Sequence, residues 1–581
     1  MSDLLRDAPI GQFIRWASNK KYLRYPDEEP GYQIPKRWTT TKATTSKDDF
    51  ASKADSALSS PRSDRSASWW RISMVPYDFK NDFFDSYLYD DDEKALRDSG
   101  SMGSILMKRP ASTSTVGNAD MVVDWYDDQD ADNPQNWSDR KRALVTVIIC
   151  LYTFVVYTSS AIYVSSTQGV MDEFHVSQFS ATLGLSLYVL GYGVGPLIFS
   201  PLGEMPTIGR NPVYIVTMAL FVIVSLPTAF APDFASLIVL RFLQGFFGSP
   251  CLASGGATLA DMYSMNSLPY AMLAWVSASY CGPALGPLLS GFSVPAKNWR
   301  WSLYETIWAA APIFIMMFML LPETSGEKIL RDRAARVSKL VGKELMVAGQ
   351  TVHTSGSRMS RVVDALVKPI EISFKDPAVL FVQMYTSIIY GIYYSFFEVF
   401  PLVYGGFYKM SLGQMGIVFL CILVACIIGV IAYSTCLYCM GRQGFSTPEK
   451  RLVPALGACF GPTIGLFLFA WTARESIHFI VPTLGITIYG STVFIVFQCL
   501  FIYIPLTYPK YAASLFAAND FFRSALACGS VLIAHPLFTN LGVAKGVSVL
   551  GGLSVIGIIG IWLLFLFGAR LRAMSTFADM G

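Results

Sequence analysis

From about residue 142 to about residue 568 the chain repeats one pattern: some twenty apolar residues, then a short polar interruption. As helices, stretches of this length cross a hydrocarbon core of about 30 Å, since a helix rises about 1.5 Å per residue. Twelve spans are predicted, at about 142–164, 179–201, 211–231, 234–260, 268–292, 301–322, 378–403, 411–435, 452–472, 477–503, 511–535 and 546–568. The widest interruption, about 323–377, carries the basic amphipathic stretch "EKILRDRAARVSKLVGKEL". Six spans, a connector and six more spans make two halves, as expected for parallel internal repeats. The predicted fold is an all-α membrane protein with twelve transmembrane helices in two six-helix halves. Its parts are a tail (1–138), a first half (139–322), a central loop (323–377), a second half (378–572) and a C-terminal tail (573–581).

The first 138 residues break the pattern, with runs such as "TTTKATTSKDD", "SSPRSDRSAS" and "YDDQDADNP". Segments this polar bury too little apolar area to offset chain entropy, so a long, mostly disordered N-terminal tail is expected. Within it, "LLRDAPIGQFIRWASNKKYLRY" fits either a short amphipathic helix near the membrane surface or a locally ordered piece of tail. Residues 1–23 lack the continuous apolar centre of a cleavable signal, so the first span is expected to act as its own insertion signal. "RSAS" at 65–68 places an arginine three residues before Ser68, a low-specificity pattern that makes a kinase a candidate partner.

Composition agrees with the spans: 52% of residues are hydrophobic and only 15% charged, against roughly 25% in soluble domains, with a mean hydropathy of +0.42. The net charge of +3 identifies no partner, because the charges are segregated. With both termini cytosolic, the inside carries twenty Lys and Arg and the outside five, which fixes the expected orientation. The "NWS" sequon at Asn136 then lies on the side where no glycan is added. None of the ten cysteines precedes residue 150, and they read as small buried hydrophobes, not a disulfide framework.

There is no G-x-x-x-x-G-K-[ST] phosphate loop and no filter-like sequence, and the four histidines are scattered without metal-ligand spacing. A secondary transporter is therefore expected, not an enzyme, with a non-transporting membrane sensor as the alternative. On span 2, Gly184, Tyr188, Gly191 and Gly195 share a face; Gly245 and Ser249 do so on span 4, and Gly282, Gly286 and Ser290 on span 5. Small residues four apart let helices approach closely in lipid, which serves static packing as well as movement. In "CGPALGP" the same face carries Pro283 and Pro287, which bend a helix and suggest a shaped or moving element.

Residues 132–572 resemble the major facilitator superfamily, specifically its fungal twelve-span drug:proton antiporters. The likeness rests on "DNPQNWS" before span 1, "GPLIFSPLGEMPTIGRNP" after span 2, "LRFLQGFFGSP" in span 4, "GPALGP" in span 5, "WRW" at 299–301 and "LPET" at 321–324. "FFEVFPLVY" and "YAASLFAANDFFRSA" resemble the subgroup named for benomyl and methotrexate resistance. The span 2–3 motif departs from the pattern: Glu204 and Met205 stand where an aspartate and a basic residue are usual, and Asn211 replaces a second basic residue. The resemblance implies a plasma-membrane exporter that exchanges cytosolic drugs for protons by alternating access. It needs no cofactor beyond the proton gradient and no nucleic acid, and it works as a monomer in the bilayer. The alternative cargo is a physiological compound such as a polyamine, secondary metabolite or toxin.

Arg241 sits about two turns into span 4 and could snorkel, pair with a carboxylate or line a water-filled cavity. Gln244, Gly245, Gly248 and Gly255 share its face, which favours the cavity, and by resemblance this arginine tunes nearby proton sites. Asp520 and Arg523, three apart in span 11, are either a structural ion pair or part of proton coupling, and Glu305 is a further carboxylate near the outer end of span 6. Glu398 shares a face of span 7 with Tyr390 and Tyr394, where charge and cation–π contact could hold a cationic drug. Gln244, Phe397, Gln498 and Asn519 complete the candidate cavity, and by resemblance Glu204, Gly209, Arg210 and Asp261 form an inner gate. The spans also carry Tyr385, Tyr393, Phe396, Phe400, Tyr489, Phe494 and Phe497, a lining suited to flat, apolar or weakly cationic molecules.

Overall fold

The computed structural model describes residues 2–29, 31–35, 38, 122–264, 267–342, 345–347, 367, 371–441, 448–508 and 512–575. One compact body comprises Met1–Gln33 and Val123–Gly581, and Ile34–Val122 form a separate unit. Only residues 34, 35, 38 and 122 of the separate unit are described, so the kinase pattern at Ser68 lies outside the described residues.

Among the described residues, eleven helices are long and apolar enough to cross a membrane: Asp139–Phe174, Gln178–Glu204, Arg210–Ala229, Phe234–Met262, Trp301–Leu320, Pro377–Phe407, Leu412–Met440, Pro448–Thr472, Ile480–Thr507, Ser514–Leu541 and Val543–Met574. The fifth expected span is the helix Leu268–Ala296, 29 residues long and packed between the first and eighth. Pro283, Pro287 and Pro295, with several glycines and serines, lower its hydropathy without shortening it. The twelve helices are called spans 1–12 in chain order. Most overrun the expected bounds because their polar end turns stay helical, whereas spans 3 and 6 stop two residues short, at Ala229 and Leu320. Short polar residues start several of them: Ser138, Ser177, Asp233 and Asp376 each accept a backbone N–H of the first turn.

Two spans are interrupted. Span 4 passes from Phe234–Gly248 to Pro250–Met262 at Ser249, where proline removes a backbone donor. Span 7 ends in a π-helical run at Pro401–Phe407. The halves meet mainly where span 2 lies on span 11 and span 5 on span 8. Span 5 also presses on span 1, where a Cβ at Gly286 would stand 2.8 Å from the Ile162 nitrogen and one at Gly282 2.9 Å from the Phe154 carbonyl. The glycine face of "CGPALGP" thus serves backbone-to-backbone contact within the first half.

The face bearing the chain ends, here the terminal face, carries ordered pieces of the tail. Helices Ser2–Asp7 and Pro9–Ala17 dock on span 6. The connector forms the helix Gly326–Val341, capped by Ser325. Its Arg333 reaches Asp130 and Asp132, each at 2.6 Å, and its Arg336 reaches Asp27 at 2.8 Å. Arg15 donates two hydrogen bonds to Glu28, at 2.8 and 2.9 Å. The Tyr25 ring is flanked by the guanidiniums of Arg336, Arg6 and Arg15, at 3.8, 4.4 and 4.5 Å. Residues 2–29 and 123–138 are therefore folded parts of a tail expected to be mostly disordered. Stacked arginines and paired carboxylates hold them there, in place of an apolar core. Asn136 belongs to this cap, its amide donating to the carbonyls of Asp128 and Asp130.

Candidate functional site

Arg241 has no exposed surface, and three of its four hydrogen-bond acceptors are main-chain oxygens. Its Nε donates to the Gly184 carbonyl at 3.1 Å, Nη1 to the Ser159 carbonyl at 3.0 Å and to Gln244 Oε1 at 2.9 Å, and Nη2 to the Ser160 carbonyl at 3.3 Å. The rings of Tyr188 and Tyr163 cover it at 4.4 and 5.0 Å. Gln244 passes the tether on, donating to Ser225 on span 3 at 2.7 Å. Four spans are thereby pinned around one cation. Among the described residues Arg241 has no carboxylate partner; it is sealed among main-chain oxygens and tyrosine rings, which corrects the expected water-lined, cavity-facing position. Gln244, likewise buried, is a tether between Arg241 and Ser225.

Asp520 and Arg523 do form a buried ion pair on span 11. Arg523 Nη2 also donates to the Tyr157 hydroxyl on span 1 at 3.1 Å, across the seam between halves, and its guanidinium lies 4.5 Å from the Tyr390 ring. Asp520 Oδ2 and Arg523 Nε are buried with no hydrogen-bond partner among the described residues. Beside Arg523 lies a small cavity of about 30 Å³, lined also by Tyr157, Tyr280, Tyr390, Tyr393 and Phe497. It has room for roughly one or two waters and not for a drug-sized molecule, which needs about 300 Å³ or more. Next to it, the Tyr192 hydroxyl meets those of Tyr390 and Tyr394 at 2.5 and 2.9 Å, and Tyr394 meets Ser160 Oγ at 3.2 Å. Hydroxyls from spans 1, 2 and 7 thus bridge the halves between the Arg241 clamp and the Asp520–Arg523 pair.

Of the expected cavity residues, only Tyr390 lines this chamber. Tyr394 is spent on the seam, and Phe397 stacks on Phe419 at 5.5 Å. Glu398 accepts from Thr182 at 3.3 Å and closes the seam on the face opposite the chain ends. Asn519 is locked within the second half by Gln383 at 2.6 Å and Thr386 at 2.7 Å. Gln498 is fully buried with neither amide atom partnered among the described residues. Glu305 is half-buried on span 6 and has no ion pair among the described residues. Tyr393 and Phe497 were legible as aromatic lining. Tyr157, Tyr192 and Tyr280 were missed, although hydroxylated aromatics within otherwise apolar spans were the signal.

On the terminal face Arg210 grips Asp261, with Nε to Oδ2 at 2.6 Å and Nη2 to Oδ1 at 3.3 Å. Glu204 does not join them; it ends span 2 exposed, with no ion pair among the described residues. Glu323, from "LPET", takes the acidic place. Its two oxygens accept the backbone N–H groups of Arg210, Asn211, Thr324 and Ser325 at 2.9 to 3.2 Å, capping span 3. Gly209 is at φ +82°, and a Cβ there would meet Glu323 Oε2, so the turn into span 3 needs glycine. Burial raises the Glu323 carboxyl above its ordinary value, with the four N–H groups pulling the other way. The atypical span 2–3 motif is thus completed from the end of span 6. In the second half, Arg572 on span 12 binds Glu449 at the start of span 9 at 2.8 Å.

A sequence model described as Major Facilitator Superfamily matches residues 149–531. The chain belongs to the major facilitator superfamily. It is a membrane transporter and not an enzyme. It is 38% identical to the "MFS-type transporter pyvG" of Aspergillus violaceofuscus over the full length of both chains. It is 37% identical to "Fluconazole resistance protein 1" of Saccharomyces cerevisiae, with 83% of this chain and 88% of that one covered. Among solved structures, the human organic anion transporter MFSD10 (TETRAN) shares the fold at a TM-score of 0.51 and 16% identity, covering 72% of this chain and 99% of that one. The superfamily resemblance read from the motifs therefore holds.

Proposed function

We propose that this transporter exports antifungal drugs and other amphipathic xenobiotics from the cytosol across the plasma membrane, in exchange for protons. The observation that carries the reading is the chamber at the seam: an aromatic lining that includes Tyr393 and Arg523, whose hydroxyl and Nε are buried and unpartnered among the described residues, with Arg523 paired to a buried Asp520. Buried polar atoms left unpaired cost about 1–3 kcal/mol each, which a bound ligand or proton recovers. Aromatic faces with few polar anchors accept flat or weakly cationic molecules loosely, and resistance to fluconazole in a relative's name agrees. Asp520 is the candidate proton carrier: protonation would remove the charge that holds Arg523 in place and so weaken its bond to Tyr157 across the seam. In this reading the terminal face is cytosolic and the gate at Arg210, Asp261 and Glu323 is the inner one.

The test is drug flux in proteoliposomes with an imposed proton gradient. Uptake against a drug gradient should follow the proton gradient and stop with a protonophore. Asp520→Asn should abolish the coupled flux while leaving the protein folded. Uphill drug movement with no proton gradient would refute proton exchange.

A further inference from the structure

A second and larger cavity, of about 740 Å³, lies outside the transport path, between the helix Pro9–Ala17, the connector helix and the first turns of span 3. One wall is apolar and faces outward: Ile215 and Val216 of span 3 line it, with Val216 58% exposed, and Trp16, 78% exposed, stands at the rim. A valine so exposed on a membrane helix faces lipid, so the cavity opens where the bilayer ends.

The charges inside are not balanced once their partners are assigned. All four lining carboxylates are engaged: Asp7 with Arg6 at 2.9 Å, Asp132 with Arg333 at 2.6 Å, Asp332 with Lys328 at 2.8 Å, and Glu323 with backbone N–H groups. Arg15 and Arg336 are consumed by Glu28 and Asp27. Lys339 has no ion pair among the described residues, and Lys20 has only a 3.3 Å contact to a Glu28 that already serves Arg15. Lys20 is held in a left-handed backbone conformation at φ +62°, beside Asn19 at +49°, an arrangement that costs about 1 kcal/mol or more and so marks an imposed position. A further observation points to an anionic ligand. Trp137 lines the cavity at 4% exposure, and its indole N–H is buried with no acceptor among the described residues.

We propose that this cavity holds the phosphate headgroup of an anionic phospholipid from the adjacent leaflet, with its acyl chains along Ile215 and Val216. Lys20 and Lys339 supply the charge, the Trp137 N–H donates to a phosphate oxygen, and Trp16 sits at the interface. The site rests on the membrane placement of this face and not on drug export or proton exchange.

Native mass spectrometry of the full chain, released from vesicles of phosphatidylcholine mixed with phosphatidylserine, tests this with no drug or gradient present. The protein should retain phosphatidylserine preferentially. Lys20→Gln with Lys339→Gln should cut the preference about tenfold or more. Trp137→Phe, which keeps the ring, should weaken retention by about tenfold, as for a lost charge-assisted hydrogen bond. Lys450→Gln, exposed on the other half, should leave it unchanged. Equal retention of both lipids, or lysine variants that match the native chain while running as monodisperse protein, would overturn the proposal. So would full displacement by soluble glycerophosphate, which would make the ligand a free phosphate.

Discussion

Arg241 shows what a single residue reveals in sequence and what it hides. A guanidinium within "LRFLQGFFGSP" must be satisfied, and that much is legible, because an unpaired charge in a membrane is prohibitive. Its partners were not legible. They are the carbonyls of Ser159, Ser160 and Gly184, and a main-chain oxygen leaves no mark in a sequence. Arg241→Ala should therefore destabilise the first half, by about 3 kcal/mol or more for the charged hydrogen bonds lost, lowering the melting temperature and surface abundance. Arg241→Lys should recover part of both, since an ammonium reaches fewer of the four acceptors. A variant that pumps poorly at full abundance and native melting temperature would argue against the clamp. Tyr192→Phe tests the neighbouring hydroxyl bridge. Loss of its two bonds to Tyr390 and Tyr394 should cost about 1 kcal/mol each in the closed state. Thiol reagents directed at an engineered cysteine in the chamber should then react faster.

At the scale of elements, the twelve spans were readable because length and apolarity are local properties. Span 5 shows the limit, since composition alone drops it from the set while its packing keeps it in the bundle. Its glycines make a direct prediction. Gly286→Val should abolish surface expression, because any Cβ there meets the Ile162 nitrogen at 2.8 Å, whereas Gly552→Ala on span 12, with nothing within 4 Å, should be neutral. On the terminal face the amphipathic helices Pro9–Ala17 and Gly326–Val341 were legible, but the cap they build was hidden because it depends on pairs such as Asp130–Arg333, 203 residues apart in sequence. Burial alone would raise the Asp130 carboxyl. Arg333 and the N–H groups of Tyr126 and Asp132 outweigh it and hold the group below its ordinary value. The folded cap thus favours the charged form. The stability this lends is complete above the ordinary carboxylate value of about 3.9 and is lost as pH falls through the lowered one. Asp130→Asn should mimic that loss at neutral pH, raising hydrogen exchange in Gly326–Val341 while the spans stay protected.

For the whole molecule, the two-half plan followed from counting spans, but the state of the transport path could not, because it depends on how the halves meet. Here both ends of the seam are shut. On the face opposite the chain ends, Thr182 meets Glu398, and a Cβ at Gly291 of span 5 would lie 2.7 Å from the Leu412 carbonyl of span 8. Towards the terminal face, Trp275 of span 5 packs on Phe501 of span 10 at 6.5 Å. A carrier that alternates must break one set of contacts while keeping the other, so a wedge at one end should bias it. Gly291→Trp places the wedge between spans 5 and 8 and should hold the opposite face open. Efflux should fall sharply at normal abundance, because the path can no longer close behind the cargo. A cysteine at Thr182, buried in the closed seam, should react faster with a membrane-impermeant thiol reagent in the wedged protein than in the same protein with Gly291 intact. Unchanged labelling together with lost efflux would mean that the wedge damages packing within the halves and leaves the seam closed. The seam between spans 5 and 8 would then not be the moving one.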